Sequence, residues 1–147
     1  MKARLANLAD MAEVSEMARG AAEHRPSRVF NELRFRATFV DYLTKASPVF
    51  WVTEDASGLT GFLLGDYAVH RGFDGLFVQQ EVLFVKPEKR GTRAAALLMN
   101  ELIRWAEAIG ANEIIGGNEN SFQTEQTAKF LAKLGFKCVG LAMRREM

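Results

Sequence analysis

Lys86, Lys89, Arg90 and Arg93 crowd around Gly91, with Glu88 as the only acid among them. The apolar run Val82-Leu83-Phe84-Val85 precedes this cluster and Ala94-Ala95-Ala96-Leu97-Leu98 follows it. A strand therefore enters a basic, glycine-marked turn and leaves it as a helix, an arrangement that gathers unpaired backbone N–H groups and the positive end of a helix at one point. Such a point takes an anion. Four cationic side chains at the same place favour a phosphate ester, because guanidinium and ammonium groups add charge-assisted hydrogen bonds to those of the backbone. Other chemistry has little material to work with. Cys138 is the single cysteine, and His24 and His70 are the only histidines, which excludes an internal disulfide and a cysteine cluster and leaves no metal site expected. No cysteine, serine–histidine pair or lysine is placed as a nucleophile for a covalent intermediate.

The elements that must hold this turn follow from periodicity. Lys2 to Ala6 reads as a short strand, and Asp10-Met11-Ala12-Glu13 as a capping box opening a helix with Val14, Met17, Ala18 and Ala21 on one face. A second helix is expected after His24-Arg25-Pro26-Ser27, with Pro in its first turn and Val29, Phe30, Leu33, Ala37, Val40 and Leu43 at helical spacing. Val49 to Thr53, Leu59 to Val69 and Leu76 to Val85 are rich in β-branched and aromatic residues and are separated by the turns Glu54–Gly58 and Arg71–Gly75, which makes an antiparallel meander. A helix from about Thr92 to Ile109 ends at Gly110, and Ala111 to Asn118 forms a short buried strand, so these two strands lie parallel with a right-handed crossover. Thr124-Glu125 opens a last helix that buries Ala128, Leu131 and Leu134, with Gly135 as its left-handed cap. Phe136 to Met147 closes the chain as one long strand or a tight hairpin, and Cys138 is expected in the core.

At 147 residues the chain has the length of one domain, residues 1–147, and a formal net charge of +1 supplies no field that would imply nucleic acid or a membrane surface. No apolar run approaches the length that spans a bilayer, and the first ten residues lack the form of a secretory leader, so a cytoplasmic location is expected. The arginines Arg25, Arg28, Arg34 and Arg36 alternate with Glu23, Glu32 and Asp41 and read as a solvated helix face; a basic nucleic-acid module built on them is the weaker alternative.

The order of elements, together with Val85-Lys86-Pro87-Glu88-Lys89-Arg90-Gly91 and Lys133-Leu134-Gly135-Phe136, resembles the GNAT superfamily of acyl-CoA N-acyltransferases over nearly the whole chain. The resemblance implies an α/β (α+β mixed) single domain: a mostly antiparallel mixed sheet of about six strands flanked by four helices. It also implies transfer of an acetyl group from acetyl-CoA to a primary amine, by direct reaction in a ternary complex. Leu83, Phe84 and Val85 would carry the pantetheine arm on their backbone, Arg90, Gly91, Thr92, Arg93, Ala94 and Ala95 the pyrophosphate, and Asn118 and Asn120 the pantetheine amides unless they serve only the turn. Arg93 departs from the family pattern, where glycine is usual; either it reaches a phosphate itself or it turns to solvent.

Amine acetylation needs a deprotonated amine and a protonated leaving thiolate. Glu81 matches a glutamate that some polyamine-type members carry and is the base candidate; the competing reading is a carboxylate paired with a nearby cation. Strand alternation would set Glu81 on the face of Leu83 and Val85. The family's tyrosine proton donor falls on Leu131, which cannot donate, and Tyr67 is either an acceptor-pocket residue or ordinary strand packing. A GNAT-fold module that binds acyl-CoA without turnover is therefore the alternative function. The acceptor is undefined beyond an amine, and a homodimer is compatible with an exposed sheet edge or a short C-terminal strand.

Overall fold

A computed structural model describes residues 1–25, 28–118 and 120–147. Five strands form one sheet in the order of the chain: β1 (Lys2–Leu5), β2 (Val49–Asp55), β3 (Gly58–Val69), β4 (Leu76–Val85) and β5 (Glu113–Ile115). The first four are antiparallel and β5 runs parallel to β4. Four helices cover it: α1 (Met11–Ala22), α2 (Glu32–Thr44), α3 (Ala94–Ala108) and α4 (Thr124–Lys133). This is the expected mixed α/β class, with five strands among the described residues rather than about six, because no strand follows Phe136.

Strand alternation builds a core on each face. Phe50, Val52, Phe62 and Leu64 meet α1 and α2 through Val14, Met17 and Phe39. Trp51, Leu63 and Val78 meet α3 and α4 through Leu98, Met99, Leu102 and Leu131. Neighbours along a strand point to opposite faces, so burying both faces makes β2 and β3 nearly continuous apolar runs.

Several local expectations are corrected. The capping box belongs to Asn7 and Asp10, three residues earlier than expected. Asp10 instead receives the Arg4 guanidinium at 2.8 and 2.9 Å. α2 starts only after Asn31, whose side chain accepts the Arg34 N–H at 2.9 Å; the Pro26-Ser27 opening lies outside the described residues. Its inner face is Phe35, Phe39, Tyr42 and Leu43, while Val29, Leu33 and Ala37 are exposed. Two apolar stripes share this helix, and aromatic volume decides which one is buried. In α4, Leu131 is buried but Ala128 is exposed. Cys138 is exposed too, as are all residues from 137 to 147.

Candidate active site

The site begins with an irregularity in β4. Leu64 pairs with Val82 but Gly65 pairs with Gln80, so Glu81 is an extra residue in the register, a β-bulge. The consequence is visible in the packing. Val78 faces the α3 side, yet Val82 and Phe84, at the same parity, face α1 and α2. One inserted residue has reversed the faces of the strand, and Leu83 packs on the α3 side. Alternation across the bulge no longer ties Glu81 to the face of Leu83. Glu81 lies within electrostatic reach of Tyr42 on α2: burial first, then the charges of Glu81 and Asp66, push the Tyr42 hydroxyl up to about 12. Asp66 in turn accepts hydrogen bonds from the Ser47 hydroxyl at 2.9 Å and the Tyr67 N–H at 2.8 Å.

At the same point β4 and β5 part. Their ladder covers only Phe77–Gln79 against Glu113–Ile115. Beyond it the Gln80 side chain bridges the gap, donating to the Gly117 carbonyl and accepting the Gly117 N–H, each at 3.3 Å. From Val82 to Val85 the outer edge of β4 has no ladder partner among the described residues. A notch thus opens along roughly 13 Å of strand, closed at one end by the Gln80 clamp beside Glu81 and leading at the other into the basic turn.

The turn itself is Pro87–Lys89, one turn of 3-10 helix, then Gly91 at φ +81, then α3, which starts at Ala94 rather than Thr92. A left-handed φ is what glycine supplies there at no steric cost. The Thr92 hydroxyl donates to the Lys89 carbonyl at 2.6 Å and accepts the Ala94 N–H at 3.3 Å. The N–H groups of Gly91, Arg93, Ala95 and Ala96 are left without a backbone partner among the described residues, and the first helical bond into the turn is Leu97 to Arg93. Ala94 is fully buried, so its side chain anchors the turn to the core.

The basic side chains divide unequally. Lys86 binds Glu13 of α1 at 2.9 Å, and Lys89 binds Asp55 at 2.6 Å. The consequence of these pairs is that two of the four cations serve the scaffold. Arg90 turns back, with Nε donating to the Val85 carbonyl at 3.3 Å and its guanidinium 5.0 Å from the centre of the Phe122 ring. Arg93 is exposed and forms no ion pair among the described residues. It is the cation available to an anion at this turn.

Asn118 and Asn120 hold the loop after β5. Asn118 Nδ2 donates to the Phe122 carbonyl at 2.5 Å, and the Phe122 N–H donates to Asn120 Oδ1 at 3.0 Å. They present Phe122, whose ring also stacks on His24 just past the end of α1 with ring centroids 3.7 Å apart. Tyr67 leans on Trp105 on the α3 side, across the sheet from Tyr42, and Leu131 is buried in that same layer. A concavity of about 580 Å³ lies elsewhere, between β1, β2 and α3 near Trp51 and Trp105; the notch is a strand edge and need not be a deep cavity to hold an extended ligand.

Sequence reasoning did not find Gln80, Phe122, His24, Tyr42 or Asp66. The polar run Gln79-Gln80-Glu81 inside an otherwise apolar strand is the signal that marks the bulge. The Arg90–Phe122–His24 stack joins residues distant in sequence and leaves no local trace.

The Asp55–Lys89 pair carries a pH prediction. Hydrogen bonds from Lys89 and then Ser57 hold the Asp55 carboxyl well below the usual carboxylate range. Its folded pKa is below its unfolded one, so the stabilisation is complete above about pH 4 and lost as pH falls through the folded value. Thermal melts across pH should therefore show Asp55→Asn losing less stability than the wild type on the acid side; parallel acid limbs would remove this pair from the acid response.

An open strand edge that runs into unpaired N–H groups and one available arginine has the geometry to take an extended ligand ending in phosphate. The chain belongs to the acetyltransferase (GNAT) domain family, whose sequence profile matches residues 46–138. Solved structures share the fold at low identity. A transcriptional regulator from Bacillus halodurans is 15% identical, with 99% of each chain covered and a TM-score of 0.84. An acetyltransferase from Trypanosoma brucei is 19% identical, again with 99% of each covered, at 0.77. An aminoglycoside N-acetyltransferase in complex with CoA is 17% identical over 99% of this chain and 98% of its own, also at 0.77. No curated protein sequence matches the chain. Among the described residues, no helix is long and apolar enough to cross a membrane.

Proposed function

We propose that the chain is an acetyl-CoA-dependent N-acetyltransferase that acetylates a primary amine directly in a ternary complex. The observation that carries this reading is the notch along Val82–Val85, which runs from the unpaired N–H groups of the turn to Glu81. A pantetheine arm laid there as an added strand has its pyrophosphate at Gly91, Arg93, Ala95 and Ala96, and the Gln80 clamp stops its thioester end beside Glu81. Leu83, Phe84 and Val85 supply the backbone edge. Arg90 gives up the Val85 carbonyl as the arm enters, while Asn118 and Asn120 act by holding Phe122 rather than by touching the arm.

The amine nitrogen attacks the thioester carbonyl carbon; the carbon–sulfur bond breaks and CoA leaves as thiolate. Glu81, directly or through a water, accepts the proton the amine sheds. Tyr42 and Asp66 neighbour Glu81 on the α2 side and line the approach of a cationic acceptor. The fate of the thiolate favours a second reading. Leu131, at the family's tyrosine position, is a buried core residue with no proton to give, which suits a module that binds acyl-CoA with little turnover.

Acetyl-CoA in millimolar excess should raise the melting temperature, and Arg93→Ala should weaken that binding about 5- to 150-fold, as expected for one charge-assisted phosphate contact of about 1–3 kcal/mol. No shift with either acetyl-CoA or CoA overturns the cofactor site. Binding without thiol release above background across amines, peptides and aminoglycosides favours the module.

A further inference from the structure

The β4–β5 ladder stops at Gln79 opposite Ile115, and the next residues in register are Gln80 and Gly116. There the Gln80 side chain takes over from the backbone. Its amide carries an N–H donor and a carbonyl acceptor, as a peptide unit does, and uses them on the carbonyl and the N–H of Gly117, each at 3.3 Å. The amide is therefore held across the gap between the strands. Gly116 is the reason it fits. A Cβ at Gly116 would stand 3.1 Å from Gln80 Oε1 and 3.5 Å from Phe136 Cε1, so the room of a side chain is already taken by the amide and by the Phe136 ring. That ring packs against the core of the α3 layer. The backbone of Gln80 is held from the other side, because it pairs with Gly65, whose Cα faces Leu102 and Trp51 too closely for a Cβ. An arm laid along Val82–Val85 as an added strand occupies the lane that β5 leaves open, and its end meets this amide. In an acyl-CoA that end is the acyl group.

We propose that Gln80 is the specificity-determining residue that limits the acyl group to acetyl, an inference that rests on the acetyltransferase function proposed for the chain. An acetyl group ends in a single methyl and stops short of the amide. Each further methylene carries the chain into it. To make room, the Gln80 side chain must leave Gly117, and the N–H and carbonyl of Gly117 then lose their partners to a group that offers no hydrogen bond. Phe136 on one side and the Gly65 pairing on the other leave the amide little space to retreat into. A longer acyl group thus meets both overpacking and two broken hydrogen bonds.

Calorimetric titration of the full chain with CoA, acetyl-CoA, propionyl-CoA, butyryl-CoA and hexanoyl-CoA tests this without an acceptor. In the wild type, butyryl-CoA should bind about 5- to 150-fold more weakly than acetyl-CoA, the range expected for overpacking a filled site. Gln80→Ala should bring butyryl-CoA to within about twofold of acetyl-CoA. Gln80→Asn withdraws the amide by one methylene, so it should admit propionyl-CoA and still discriminate against hexanoyl-CoA. A general loosening of the site would instead weaken every ligand alike and leave their ratios unchanged. CoA itself, which carries no acyl group, should bind the wild type and both variants within about twofold. Should Gln80→Ala not fold, the wild-type ratios and Gln80→Asn still decide. Failure of CoA to bind the wild type removes the acetyltransferase function and this role with it. CoA binding in which butyryl-CoA matches acetyl-CoA in the wild type, or in which the folded variants keep the wild-type ratios, overturns the role of Gln80 alone.

Discussion

Replacing Glu81 by Gln should lower kcat by about 10²- to 10⁴-fold, the usual range for loss of a positioned general base, and leave acetyl-CoA affinity within about twofold. The separation of the two effects follows from the bulge. Glu81 is the residue the bulge inserts between the ladder pairs Gly65–Gln80 and Leu64–Val82, and a glutamine of the same shape keeps both pairs and the open edge from Val82 to Val85 that would receive the cofactor. The same substitution has a second readout that does not depend on the acceptor. Tyr42 is held up to about 12 by burial first and by the charges of Glu81 and Asp66 second. Removing one of those charges should bring the phenol down toward its ordinary value without reaching it, because burial is the larger cause. Ultraviolet titration in a Tyr67→Phe background isolates this phenol. Unchanged turnover with a lowered Tyr42 pKa would place Glu81 correctly and deny it the role of base.

Leu102→Ala should cost about 2–5 kcal/mol of stability, as expected for truncating a fully buried leucine, and its partner in the effect is a glycine. A Cβ at Gly65 would stand 2.6 Å from Leu102 Cδ1 and 3.3 Å from Trp51 Cζ3. Gly65 pairs with Gln80, the residue next to the bulge, so α3 rests against the sheet at the point where the notch begins. Gly65→Ala in the wild type should therefore cost about 1–3 kcal/mol by overpacking. In the Leu102→Ala background it should cost much less, because the new methyl enters the space the leucine has vacated. Denaturant unfolding of the two single variants and the double variant measures this coupling; strict additivity would show that the helix is not seated on Gly65.

The family, the meander, the basic turn and the crossover helix were legible in the chain because they are local. Val85 to Gly91 carries its own strand end, proline, cations and left-handed glycine, and the spacing of Leu98, Leu102 and Trp105 needs no partner to be read as a helix face. What eluded sequence reading depends on a second element. Two apolar stripes on α2 compete, and only the sheet beneath selects Phe39 over Leu33. Lys86 and Lys89 look like phosphate ligands until Glu13 and Asp55 arrive from α1 and β2 to pair with them.

The sequence by itself determined that a strand would deliver a backbone edge into a basic, glycine-marked turn, since composition and spacing dictate the local backbone. Only the tertiary structure decided that the strand reverses its faces at Glu81. A single inserted residue reverses every side chain on one side of it, and the register that creates the bulge is set by β3, across the sheet.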